Sequence, residues 1–162
     1  MSTPTSKLPA PTLELIAELS VTVSAPIDAG EVRGPLTRGR RRIIPITGGT
    51  VRGKLQGKVL PGGADFQVIV SDTVAILDAR YMLELDSGAR VFVQNNALRR
   101  ASAEDVAKLI RGEPVDPSRV YFRCAPTFEV SDPELHWLTE SVFIGTGARA
   151  PDGVEIAFYR VC

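Results

Sequence analysis

Apolar and polar residues alternate with a period of two along most of this chain, which commits it to β-strands with one buried and one wet face. From Leu13 to Val23 the odd positions are Leu13, Leu15, Ala17, Leu19, Val21 and Val23, and Glu, Ser and Thr fill most of the even ones. From Thr50 to Val59, Val51, Leu55 and Val59 share a face with Gly53 and Gly57, opposite Thr50, Arg52, Lys54, Gln56 and Lys58. Ala64 to Val70 reads as a strand, and Val74 to Leu85 as another with Ala75, Leu77, Ala79, Tyr81, Leu83 and Leu85 on one side. Arg90 to Asn95, Val120 to Val130, Val142 to Ile144 and Val154 to Val161 continue the pattern. Short connections such as Ser71-Asp72 and Asp86-Ser87-Gly88 are those of a meander.

Two glycine-dense turns, Thr47-Gly48-Gly49-Thr50 and Pro61-Gly62-Gly63-Ala64, punctuate these strands. Such pairs permit positive φ or close approach of two backbones, and Gly53 and Gly57 in mid-strand predict bending. One helix interrupts the β pattern: Ser102 as N-cap, Asp105 three residues on, Val106, Leu109 and Ile110 at helical spacing, then Gly112 and Pro114 as a stop. It is expected to cover one end of the sheet. Closure would remove the exposed edges of so many strands. The predicted fold is therefore an all-β, closed antiparallel barrel of about eight to ten strands with one short helix. Residues 1–12 are expected to form a flexible arm, and residues 13–162 a single domain.

The 19 basic and 19 acidic residues cancel, so no overall field recruits nucleic acid or an anionic membrane. The run Arg38-Gly39-Arg40-Arg41-Arg42 is short and lacks interleaved aromatics, which favours a dimer contact or neutralisation of acidic neighbours over phosphate binding. Cys124 and Cys162 make no disulfide framework, and with the single His136 they leave too few soft ligands for a zinc site. A cytoplasmic protein without metal or cofactor is expected, with a small-molecule ligand as its partner and homo-oligomerisation left open. Neither a secretory h-region nor a run of about 18 apolar residues is visible.

Several motifs in order resemble one family. These are Ile44-Pro45-Ile46-Thr47-Gly48-Gly49-Thr50, Leu60-Pro61-Gly62-Gly63-Ala64-Asp65-Phe66-Gln67, Asp78-Ala79-Arg80-Tyr81, Tyr121-Phe122-Arg123 with Phe128-Glu129, and His136-Trp137-Leu138. Together they resemble the family catalogued as domain of unknown function 3237, across nearly the whole chain. The resemblance implies a lipocalin-like, calycin-type barrel and carries no established activity.

Asp65 shares a strand face with Gln67 after a glycine turn, which would expose it at a barrel mouth. In a partly apolar pocket such a carboxyl has its pKa raised and can act as acid or base; a turn carboxylate accepting backbone N–H groups is the alternative. Tyr121 and Arg123 share one face, with Phe122 and Cys124 on the other. If the polar pair faces in, Arg123 clamps an anion and Tyr121 donates a hydroxyl; if it faces out, Phe122 and Cys124 fill the core. Glu129 is either a second carboxylate opposite Asp65 or a solvated strand end. Tyr81 is placed in the core or the pocket lining, Asn95 in a ligand-lining loop, and Trp137 at a barrel end. A catalytic His136 or Cys124 finds no partner in the sequence.

Two functions from different classes fit these residues. One is a cofactor-independent isomerase, cyclase or lyase for a small carbonyl, carboxylate or phenolic metabolite, with Asp65 as acid/base, Arg123 as anion stabiliser, and Tyr81, Tyr121, Gln67, Asn95, Glu129 and Trp137 binding substrate. The other is a non-catalytic binding protein for a hydrophobic metabolite.

Overall fold

The computed structural model describes residues 1–162. Its elements are β1 (Leu13–Val23), β2 (Ile27–Arg33), β3 (Arg38–Gly53), β4 (Gly57–Val59), β5 (Ala64–Ile69), β6 (Val74–Leu85), β7 (Arg90–Arg100), α1 (Ala103–Ile110), β8 (Tyr121–Val130), β9 (Phe143–Ala150) and β10 (Gly153–Val161). Short 3-10 turns at Pro117–Arg119 and Pro133–Thr139 flank β8. Residues 1–12 are exposed and carry no strand or helix.

The strands close an eight-stranded antiparallel barrel in the order β1-β10-β9-β8-β7-β6-β5-β3, with β3 returning to β1. Two strands are extra: short β4 lies beside β5 between β3 and β6, and β2 pairs with β3 alone. Gly48 and Gly49, expected in a turn, lie instead within β3 and, with Gly53, on the seam where β1 meets β3, whereas Gly57 and Gly63 lie against β6. A Cβ on Gly49, at φ +144°, would stand 2.1 Å from the Ser20 carbonyl oxygen, so only glycine lets the seam close there.

Inward positions follow the period-two pattern. On β6 they are Ala75, Leu77, Tyr81, Leu83 and Leu85, and on β8 Phe122, Cys124 and Phe128. Two further expectations need correction. Leu13 and Leu15 do not share the inward face of Ala17 and Leu19: a register shift between Leu15 and Ala17 swaps the phase, burying Ile16 and leaving Leu13 and Leu15 about half exposed at 52% and 47%. Nor is Thr50–Val59 one strand; β3 ends at Gly53, the chain turns, and β4 begins at Gly57. The helix starts as expected, with Ser102 Oγ accepting the Asp105 N–H at 3.1 Å, and Gly112 follows its end at φ +78°.

The interior has two unlike halves along the barrel axis. One is a dry aromatic core, with the Phe128 ring edge-on to Phe143 and Phe158 at centroid distances of 5.1 and 5.7 Å. Leu138 of the second 3-10 turn plugs it and Trp137 packs alongside. At the other end a smaller cluster of Ile69, Ala75, Leu77 and Phe122 is covered by Ile110 of α1. Between this cluster and the dry core lies the polar lumen. No helix is long and apolar enough to cross a membrane.

Candidate functional site

Alternation on neighbouring strands brings a set of polar side chains into one cavity. β5 supplies Asp65 and Gln67, β6 Tyr81, β7 Asn95 and Arg99, and β9 Arg149, among apolar walls from Val21, Ile44, Ile46, Leu77, Phe122 and Ile156. Gly147 makes room on β9, since a Cβ there would lie 2.7 Å from the Phe122 ring. The cavity volume is about 50 Å³, enough for a few water molecules.

Asp65 is held by a break in the sheet. The β5–β6 ladder pairs Asp65 with Ala79 and Val68 with Ile76 but skips the residues between, and the Asp78 N–H in this gap donates to Asp65 Oδ1 at 3.0 Å. Gln67 Nε2 donates to Asp65 Oδ2 at 3.4 Å. Burial of the carboxyl outweighs these donors and the nearby Arg99, pushing its pKa up to about 6. The same burial lowers Arg99 to about 10, with Asp65 opposing and Arg149 and Arg42 adding to the fall. It holds the Tyr81 hydroxyl far above its usual value and raises the Cys124 thiol to about 11.

Many of these groups lack a partner. Gln67, Tyr81, Asn95, Arg99 and Arg42 are 1%, 2%, 3%, 5% and 7% exposed, yet Gln67 Oε1, Tyr81 Oη, Asn95 Oδ1, Arg99 Nε and Arg42 Nε make no hydrogen bond. Buried polar groups of native proteins are almost always satisfied, and each orphan costs about 1–3 kcal/mol. Five such atoms, four of them on residues lining one cavity and Arg42 beside them, concentrate unpaired hydrogen-bonding capacity at this one place in the barrel.

The structure divides the residues singled out from sequence. Asp65, Gln67, Tyr81 and Asn95 meet in the lumen. Arg123, Tyr121 and Glu129 do not: Phe122, Cys124 and Phe128 take the inward face of β8, so the odd positions point to solvent. Outside, the Arg123 and Arg100 guanidinium groups each sit 5.2 Å from the Tyr121 ring centroid. Asn95 belongs to the middle of β7, not to a loop. Trp137 lies by the dry end, 6.1 Å from Phe143 by ring centroids, and lines no part of the cavity. His136 is exposed and Cys124 buried. No three His, Cys, Asp or Glu side chains are grouped to hold a metal ion.

Sequence reasoning missed the lumenal arginines. Two carried a signal: Arg42 stands two and four residues before inward Ile44 and Ile46, and Arg99 continues the series Val91, Val93, Asn95, Ala97. Arg149 follows Gly145 and Gly147 on its face, positions without side chains to mark it as inward.

The fold and site define a class: a closed antiparallel β-barrel with a small internal cavity that gathers polar side chains among apolar walls. The chain belongs to the family described as "Protein of unknown function (DUF3237)", whose model matches residues 11–161. It is 45% identical over 152 residues to a UPF0311 protein of Rhodopseudomonas palustris, covering 93% of this chain and 98% of that protein. Among solved structures, a conserved protein of unknown function from R. palustris superimposes with a TM-score of 0.87 at 40% identity, covering 96% of this chain and 99% of that one. A "beta-barrel like protein" from Acinetobacter baumannii gives 0.82 at 38% identity, covering 98% and 100%. A protein from Penicillium herquei described as an enzyme gives 0.68 at 18% identity, covering 98% and 100%, a likeness of fold alone.

Proposed function

We propose that the lumen is the active site of a cofactor-independent acid/base enzyme of the isomerase, cyclase or lyase type, acting on a small metabolite with an acidic C–H beside a carbonyl or carboxylate. The observation that carries this reading is Asp65, a carboxyl whose pKa of about 6 leaves it largely ionised yet readily protonated near neutrality, facing unpartnered donors across one cavity. Asp65 removes the proton, the electron pair moves onto the carbonyl oxygen, and Arg99 and the Tyr81 hydroxyl face the resulting charge. Asp65 then returns the proton to another atom of the same molecule, or the intermediate expels a leaving group. Arg99 takes the part that sequence alone gave to Arg123. Tyr81 serves as a neutral donor, because burial holds its proton firmly.

One observation favours the non-catalytic alternative: the walls around the polar groups are mostly aliphatic, as a binding protein for an apolar metabolite requires. Incubation with small keto and hydroxy acids in D₂O separates the two readings. The enzyme incorporates deuterium at the carbon beside the carbonyl, seen by proton NMR, and Asp65→Asn slows this by about 10²–10⁴-fold. A carrier for an apolar metabolite gives no exchange above the protein-free rate. Equal exchange in wild type and Asp65→Asn would remove Asp65 from the chemistry.

A further inference from the structure

The charge inventory of the lumen goes further than its acid/base chemistry. Arg42, Arg99 and Arg149 form no ion pair within 4.0 Å, while nine other ion pairs occur elsewhere in the chain. The three stand close enough to oppose one another's charge, Arg99 feeling both Arg42 and Arg149. Asp65 is the only carboxyl among the residues lining the cavity. Arg42 also feels Asp28, but Arg40 already pairs with that carboxylate, so with Asp65 and Asp28 both ionised the four arginines Arg40, Arg42, Arg99 and Arg149 keep two positive charges in excess. Burying unpaired guanidinium groups is strongly unfavourable, so a site that retains them is built for a counter-charge from outside.

The unpartnered atoms specify more than charge. Arg99 Nε, Arg42 Nε and the Tyr81 hydroxyl call for acceptors, whereas Gln67 Oε1 and Asn95 Oδ1 are acceptors that call for a donor. The Gln67 amide is oriented by its Nε2–H bond to Asp65, leaving Oε1 free. A ligand that answers both sets presents anionic groups to the donors and a hydroxyl hydrogen to one of the acceptors. The cavity is small, about 50 Å³, and partly exposed Arg149 leads from it to solvent.

We propose that the arginine end of the lumen binds a compact hydroxy-dicarboxylate, one carboxylate enclosed against Arg99 with Arg42 behind it, the other held by Arg149 at the mouth, and the hydroxyl hydrogen donated to Gln67 Oε1, with Asn95 alongside. This rests on the lumen being the ligand site, and names the ligand class it takes. Planar, forked guanidinium groups suit carboxylates bidentately, and paired acceptors beside them select a hydroxylated chain over a bare diacid.

The test compares malate with succinate (no hydroxyl), lactate (one carboxylate) and sulfate (a dianion of other shape), by thermal shift and calorimetry on the whole chain. Malate at about 100 times its Kd raises Tm by roughly 5–10 °C. It binds roughly tenfold more tightly than succinate, and more tightly still than lactate. Arg99→Leu and Arg149→Gln each abolish most of the malate shift, and Arg123→Ala, outside the barrel, keeps it. Because Arg99→Leu removes an unpaired buried charge, it melts above wild type without ligand, which separates loss of binding from loss of folding.

Equal shifts with lactate, or with sulfate, overturn the dicarboxylate assignment. So does a malate shift that survives in both arginine variants, or no shift with any anion. Deuterium exchange that persists without anion binding overturns this inference alone and leaves the acid/base reading standing; malate binding without exchange of any substrate does the reverse.

Discussion

The two halves of the barrel interior obey opposite rules. The dry half packs Phe128, Phe143 and Phe158 edge to face under Leu138, with every large side chain contributing to stability. In the polar half Gln67, Tyr81, Asn95, Arg99 and Arg42 are as deeply buried, yet each carries an atom without a partner. One half stabilises the barrel, and the other, on the function proposed here, uses part of that stability to hold groups in readiness for a ligand. Strain of this kind concentrates where stability has been traded for function.

The contrast makes substitutions in the two halves differ in sign. Phe158→Ala, in the dry half, should destabilise by about 3–5 kcal/mol in denaturant unfolding while leaving ligand affinity within a few-fold. In the polar half, Asp65→Asn should raise stability at pH 7 by on the order of 2 kcal/mol, since it removes a buried charge. The sign follows from the folded-state pKa lying above that of the unfolded chain. The folded protein holds the Asp65 proton more tightly, so stability falls as pH rises from about 4 to about 6, and the penalty persists above that window. Asp65→Asn should flatten this dependence; a penalty that survived in the variant would assign it to another group.

Arg99→Leu should likewise stabilise the ligand-free protein, by about 1–3 kcal/mol in the same measurement, whereas a loss of similar size would mean that the guanidinium has partners after all. Smallest of all, Arg123→Ala on the outer face should change stability by less than about 0.5 kcal/mol and leave deuterium exchange unaltered. A large effect there would return the site to the outside of β8.

The same contrast explains what the sequence disclosed. Strands and closure were legible because alternation in segments such as Val74–Leu85 leaves one consistent inward face. Asp65, Gln67 and Tyr81 were legible because each shares a strand face with its neighbours, whereas Asn95 was assigned to a loop and belongs to β7. Leu13 and Leu15 were misplaced because one extra residue in β1 shifts its phase, and nothing local announces a bulge. Arg123 was misassigned because charge and chemistry were weighed above the apolar phase of Phe122, Cys124 and Phe128, which decided the face. Arg42 was passed over inside a basic run read as a dimer contact or as neutralising acidic neighbours. A buried arginine contradicts the usual placement of charge, and such contradictions are where a ligand site hides from a reading based on burial preference.

The most direct test is a carbon-13 NMR titration of the Asp65 carboxyl in the ligand-free protein, assigned with Asp65→Asn. The account predicts a midpoint near 6, well above an ordinary aspartate, moving upward in Arg99→Leu as the neighbouring positive charge is lost. A midpoint near 4, unmoved by that substitution, would show a solvated carboxyl beside an ordinary arginine and would contradict the lumen as a site of proton transfer.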